Sequence, residues 1–332
     1  MSLLPWLEPA WQDILKRQSS QGLPHALLVT GLKGIGKHIF SQHLAQWLLC
    51  KNARVQGLEA ACGQCHSCNL WKAGSHPDYR QCGPEEGSRQ IRVDGIRQLN
   101  EFLAQTPQLG SSQVVSIRPV EIMNINAANA LLKTLEEPAG ESYLLLETER
   151  FGSVLPTIRS RCQRITLTPP SKEQVLSWLA QQGVNDSQRA EQALQLHQGA
   201  PLSALVWLQD SNNQQQQWLE ELTQWSRNQI VLTELSLNWS KLELTDLMHW
   251  FYTVLLDCLK DSMQVPTEQQ SLQGAVRQLY QGATLDRAKL IVLHTKTQQI
   301  LGQLLSGVGN YNKQLMLETI LIDWQELLQK TA

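Results

Sequence analysis

The sequence predicts an α/β domain on a parallel sheet, interrupted by a cysteine module and followed by helical domains to the end of the chain. Three observations lead there. His25 to Thr30 is a short apolar run, followed by the glycine-rich stretch Gly31-Leu-Lys-Gly-Ile-Gly-Lys37 and then by helical spacing of Ile39, Phe40, Leu44, Trp47 and Leu48. Gln113 to Ile117 and Tyr143 to Leu146 continue the alternation of short apolar runs with helical segments, as far as Pro169-Pro170. From Trp218 onward only helical periodicity remains. A chain of 332 residues, 42% hydrophobic and 17% charged, is long enough for two or three domains.

The bulk numbers exclude several classes of function. A net charge of -2 gives no general attraction to nucleic acid, so contact with DNA must come from a local patch or from an assembly. No apolar run approaches the roughly 20 residues that span a bilayer. The opening Met-Ser-Leu-Leu-Pro-Trp lacks a basic segment and a long apolar core, so no secretory signal is expected and the cytoplasm is the default compartment. Seven cysteines, three of them crowded together, suit a reducing compartment and a metal site better than a disulfide framework.

The glycine stretch has the form of a phosphate-binding loop with one part missing. Gly31, Gly34, Gly36 and Lys37 keep the backbone cradle and the amine that reaches β/γ-phosphate oxygens. His38 stands where Ser or Thr would ligate Mg²⁺. A second loss follows the strand at 113–117, where a hydrolysing site needs one acid for the metal and one for the attacking water. Arg118 and Pro119 stand there instead, and Glu121 lies two residues too far along to stay in register. No hydrolysis of ATP by this chain is expected, while weak nucleotide binding stays open.

Between loop and second strand the chain carries Cys62-Gly-Gln-Cys65-His-Ser-Cys68, preceded by Cys50 at the end of the loop helix. Thiols at two-residue gaps converge when an ion holds them, and four thiolates suit a closed, structural zinc site. An iron–sulfur run of this type needs a further Cys where Lys72 stands. Cys50, Cys62, Cys65 and Cys68 are therefore the expected ligands, with Cys82, His66 and His76 as substitutes should Cys50 prove too distant.

The remaining elements follow in order. Trp6 to Gln21 is an amphipathic helix, Tyr79 to Cys82 a strand, and Ile91 to Leu103 opens a helix with Asp94 as its expected cap. Asn126 to Glu137 is a helix stopped by Pro138, and Arg164 to Leu167 closes the sheet. Two helices, 172–182 and 187–197, precede the break at Gly199-Ala-Pro201. After the polar stretch 210–217, helix faces appear at Leu247, Trp250, Phe251, Val254 and Leu255 and at Leu317, Leu321, Trp324 and Leu328, the latter capped by Asn312.

Asn129-Ala-Leu-Leu-Lys-Thr-Leu-Glu-Glu-Pro138 and Ser160-Arg161-Cys162, with the cysteine arrangement before them, resemble the bacterial clamp-loader branch of the AAA+ proteins. The resemblance covers essentially the whole chain. It implies an AAA+ P-loop domain with its zinc module (1–168, the module about 50–79), a small helical lid domain (169–208) and a helical collar domain that holds the subunits together (209–332). It also implies that Arg161 points at ATP bound by a neighbouring subunit. The active gamma and tau motor subunits of that branch keep an intact loop, the acid pair and an Arg in the lid. This sequence departs at all three places, with His38, with Arg118 and Pro119, and with Leu202 in Gly199-Ala-Pro-Leu202. The expected role is a non-hydrolysing subunit that donates Arg161 in trans; the alternative is a gamma/tau-like motor. Implied partners are the delta and gamma/tau subunits, the sliding clamp through weak or indirect contact, and primed DNA through the assembly, with no membrane.

Overall fold

The computed structural model describes residues 3–85, 87–88, 90–110, 112–184, 186–209, 214–266, 270, 272, 276–280, 285–306 and 312–328. The chain divides into two compact units, Met1–Val175 with Ala200–Ser203, and Leu176–Gly199 with Ala204–Ala332.

The first unit is built on a five-stranded sheet of β1 (Ala26–Thr30), β2 (Tyr79–Cys82), β3 (Ser112–Ile117), β4 (Glu141–Thr148) and β5 (Gln163–Thr166), in the order β2-β3-β4-β1-β5. Every strand pair is parallel. Parallel neighbours need crossovers, and helices supply them. Those of this unit are α1 (Glu8–Gln21), α2 (Lys37–Leu49), α3 (Lys51–Gln56), α4 (His66–Lys72), α5 (Val93–Leu103), α6 (Ile125–Glu136) and α7 (Pro156–Arg159). Covered on both faces, β1 and β3 are buried throughout and β4 is buried after Glu141, which is why they read as unbroken apolar runs. The edge strands β2 and β5 keep exposed residues at Arg80, Gln81, Gln163, Arg164 and Thr166.

On one face of the sheet Ala26, Leu28, Val115, Ile117, Leu144 and Leu146 pack with Ile96 and Leu99 of α5 and with Leu131 and Leu135 of α6. Alternate residues point the other way, so Glu147 lies on the opposite face from Leu144 and Leu146. The start of α5 differs from the sequence expectation. Ile91 bridges to Met123 and Arg92 takes the cap position, leaving Asp94 inside the first turn, where it pairs with Arg97 at 3.3 Å. An acid in that turn still suits the helix dipole. Asn124 caps α6, its side chain accepting from the Ala127 N–H.

The other helices are α8 (Lys172–Gln181), α9 (Ser187–Leu196), α10 (Pro201–Gln209), α11 (Gln214–Ser226), α12 (Leu232–Ser240), α13 (Leu244–Ser262), α14 (Arg277–Tyr280), α15 (Arg287–Ser306) and α16 (Lys313–Leu328). Of the polar stretch 210–217, residues 210–213 lie outside the described residues and Gln214 opens α11. The second unit's main core takes in Trp218, Trp225, Trp239, Trp250, Phe251 and Trp324, each at most 4% exposed. Aromatic rings there meet edge to face, Trp239 on Trp250 at 6.0 Å and Phe251 on Trp324 at 5.9 Å. The tryptophans of this region are thus internal packing; Trp71 and Trp207 are the two that keep intermediate exposure. Asn312 caps α16, accepting from the Leu315 N–H at 3.2 Å.

Candidate functional site

The glycine loop lies at the carboxyl end of β1, where open parallel sheets place their ligands. Gly34 and Gly36 have φ of +80° and +103°, and Gly36 is the residue from which α2 departs. Both angles fall where only glycine is unstrained. Lys37 is 8% exposed, and its Nζ donates to the carbonyls of Gly31 at 3.0 Å and Leu32 at 2.8 Å. Glu149 Oε1 stands 3.6 Å from the same nitrogen. Burial pulls the Lys37 pKa below its ordinary value, and Glu149, Glu147 and Glu121 act against that pull without cancelling it. His38 Nδ1 lies 3.4 Å from Oε1 of Glu147.

Two stretches of chain press on the loop. The Trp6 indole N–H donates to the Ile35 carbonyl at 2.8 Å. From the other side the Leu202 N–H donates to the Gly34 carbonyl at 3.0 Å and the Ser203 hydroxyl to the Lys33 carbonyl at 3.3 Å. The fit leaves no room for a side chain: a Cβ on Gly34 would lie 2.0 Å from Ser203 Oγ, and one on Gly36 3.0 Å from Leu4 Cδ1. Beside the loop a cleft of about 500 Å³ is lined by Lys37, His38, Arg118, Pro119, Glu147 and Glu149. Its two carboxylates would repel a phosphate.

Glu147 and Glu149 are the residues that sequence reasoning missed. The triplet Glu147-Thr148-Glu149 at the end of an apolar strand was the available signal, but spacing alone did not place β4 beside β1. Glu121 also comes closer than its register suggested, because a short 3-10 turn over Val120–Ile122 carries it toward β4. There its Oε1 accepts the Glu149 N–H at 3.0 Å.

Arg161 follows α7 at an exposed corner of the same unit. Its Nε donates to Glu136 Oε1 at 2.7 Å, and Nη2 ion-pairs with the same oxygen. Nη1 donates to the Thr157 carbonyl at 3.0 Å and to the Ser160 hydroxyl at 3.3 Å. The Arg161 side chain keeps 35% of its surface exposed and that of Glu136 51%. Neighbouring Arg159 takes a different direction, its guanidinium 5.1 Å from the Phe151 ring centre.

The four expected cysteines come together. The sulfurs of Cys50, Cys62, Cys65 and Cys68 all lie within 4.8 Å of one another, with Cys50–Cys65 at 3.9 Å and Cys62–Cys68 at 4.0 Å. A tetrahedral ion with Zn–S bonds of about 2.3 Å sets its sulfurs roughly 3.8 Å apart, so the donor set fits zinc in both identity and size. Backbone N–H groups already point at the sulfurs, Ala53 and Cys62 at Cys50 (3.4 and 3.3 Å), and Cys65 at Cys62 (3.4 Å). The Gln64 and Cys65 N–H groups bring the Cys62 thiol down to about 6, whereas burial pushes the Cys50 and Cys68 thiols up. A bound cation would lower all of them together.

Two of the substitutes, His76 and Cys82, are occupied elsewhere. His76 Nδ1 accepts the Asp78 N–H at 3.1 Å, so Nε2 carries the proton and donates to Ser67 Oγ at 2.8 Å, and Ser67 in turn donates to the Leu49 carbonyl at 2.8 Å. This relay ties α4 to the end of α2. Cys82 packs in the core beneath α5.

Comparison with known proteins places the chain. A family model described as DNA polymerase III, delta subunit, matches residues 7–171, and one described as its C-terminal part matches residues 209–326. DNA polymerase III subunit delta-prime of Pseudomonas aeruginosa is 36% identical over 328 residues, covering 98% of both chains. The chain belongs to the DNA polymerase III delta-prime subunit family. The delta-prime subunit of Escherichia coli is 31% identical, over 99% of this chain and 97% of that one. Among solved structures, a DNA polymerase III gamma subunit-related protein of Thermotoga maritima matches with a TM-score of 0.45 and 19% identity, covering 96% of this chain and all of that one, and adds nothing to the assignment. Among the described residues of this delta-prime family member, no helix is long and apolar enough to cross a membrane.

Proposed function

We propose that this chain is the subunit of the replicative clamp loader that hydrolyses no ATP itself and donates Arg161 in trans to a neighbouring subunit's ATP site. One observation carries the reading: the loop's lysine is held by its own carbonyls and by Glu149, while the arginine remains at an exposed corner. A phosphate entering the loop would have to displace the Lys37 contacts and face Glu147 and Glu149, and no Ser or Thr follows Lys37 to bring a metal ion. ATP hydrolysis in the chain's own loop is therefore not expected.

In this reading 1–168 is the P-loop-like domain, 169–208 the lid and 209–332 the collar through which the chain joins the delta and gamma/tau subunits. Sliding clamp and primed DNA are met through the assembly. The cysteine cluster holds a structural zinc ion, and four protein thiolates leave it no open position for chemistry. An arginine in trans offsets charge developing on the transferred phosphoryl group, an effect of roughly 10³ to 10⁵ in turnover.

The test is ATP turnover by a reconstituted motor complex with clamp and primed DNA, using wild-type chain against Arg161→Ala, beside the isolated chain. The expected result is an inactive isolated chain and a complex that assembles with Arg161→Ala but turns over far more slowly. Hydrolysis by the isolated chain would favour the gamma/tau-like motor instead.

A further inference from the structure

We propose that Glu136 is a positioning residue for Arg161, fixing the guanidinium in the orientation in which it meets a neighbour's phosphates. The inference rests on the trans role of Arg161 and adds to it a residue with no assigned part. Glu136 is the last residue of α6, a place where a carboxylate sits badly against the negative end of the helix dipole. A nearby cation offsets that cost. Arg161 provides one, with Nε and Nη2 gathered on the single oxygen Oε1.

The other anchors are of a different kind. Nη1 is held by the Thr157 carbonyl and the Ser160 hydroxyl, both from the turn that carries Arg161 itself. Those two contacts move with the arginine. Among the described residues only Glu136, on a separate helix, fixes the guanidinium relative to the rest of the unit. Two N–H groups on one side and one on the other define the plane of the group, so one rotamer of the side chain is favoured before any partner arrives. Preorganised charge costs nothing to orient when the reaction occurs, which is where such groups gain their effect. Half of the Glu136 side chain faces solvent, so the pair is only weakly stabilising for the fold. Its consequence is directional.

The experiment is steady-state ATP turnover by the reconstituted complex with clamp and primed DNA, for wild-type, Glu136→Gln, Glu136→Ala, Arg161→Ala and the Glu136→Ala/Arg161→Ala double variant. Glu136→Ala should lower kcat about tenfold by freeing the rotamers of Arg161. KM for ATP should stay unchanged, because the neighbour's own loop binds the ground state. Glu136→Gln, which keeps the acceptor oxygen, should fall between wild type and Glu136→Ala. The double variant should be no slower than Arg161→Ala, since everything Glu136 does passes through that arginine.

If Arg161→Ala slows turnover and Glu136→Ala does not, the positioning role is wrong and the trans role stands. Arg161→Ala without effect would overturn both. A further loss from Glu136→Ala in the Arg161→Ala background, or a lowered unfolding midpoint matching the loss in both Glu136 variants, would make Glu136 a structural residue and overturn the inference alone.

Discussion

The glycine loop and the Arg161 corner belong to one unit and each presents a cation, yet they treat it in opposite ways. At the loop, Lys37 is 8% exposed, bonded to two carbonyls of its own turn and faced by Glu149. At the corner, Arg161 is 35% exposed and paired with one half-exposed carboxylate. The first arrangement is closed: to free the amine, buried hydrogen bonds must be given up for nothing equivalent. The second is open, because the pair with Glu136 leaves about a third of the arginine side chain facing solvent, where a phosphate can approach while the carboxylate stays in place. A charged group remains usable when its partner leaves part of it facing solvent.

The widest lever on this comparison is the cysteine cluster, since α2 begins in the loop and ends at Cys50. Chelating the zinc ion proposed for the cluster should destabilise the segment 50–68 by on the order of 10 kcal/mol, and Cys50→Ser by part of that. Zinc content and thermal unfolding with and without chelator measure it; two corners that lose their character together would mean that the module, and not the local contacts, sets the contrast. Next in size, Arg161→Ala should lower the turnover of the assembled complex about 10³-fold or more. Lys37→Ala should leave it unchanged, and a comparable loss from that variant would erase the distinction.

Gly34→Ala tests the closed corner directly. The new Cβ would meet Ser203 Oγ at 2.0 Å from a backbone at φ +80°, so a lower denaturant midpoint is expected, by about 2 to 4 kcal/mol, with turnover of the assembled complex retained. A neutral result would show that residues 200–203 do not press on the loop. The smallest effect is a pH dependence. Burial lowers the Lys37 pKa from 10.5, so between the folded value and 10.5 the unfolded chain binds more protons and stability rises with pH. Compared with Lys37→Met, wild type should gain stability as pH climbs through that window; parallel curves would mean that the amine is not desolvated.

Much of this is legible in the sequence. Apolar runs located β1, β3 and β4 because parallel strands covered on both faces cannot hide their composition. Cysteine spacing located the cluster, including Cys50, because thiols at such gaps have few other uses. What could not be read were relations between distant residues. Ser203 reaches the Lys33 carbonyl across 170 positions, and Glu147 faces His38 only because β4 lies beside β1. Asp94 was misplaced for a local version of the same reason: the bridge from Ile91 to Met123 starts α5 two residues sooner than its capping preference suggests. Glu136 was in plain view inside the motif, but its partner stands 25 residues away.

The pairing of Glu136 with Arg161 also has a consequence for inheritance. A carboxylate at the end of α6 is tolerable because a guanidinium sits on it, and the guanidinium is aimed because the carboxylate is there. Neither position should drift alone across relatives. Chains in which the arginine has been replaced should have relaxed toward neutral residues at the acid's position, and chains that keep the acid should keep the arginine.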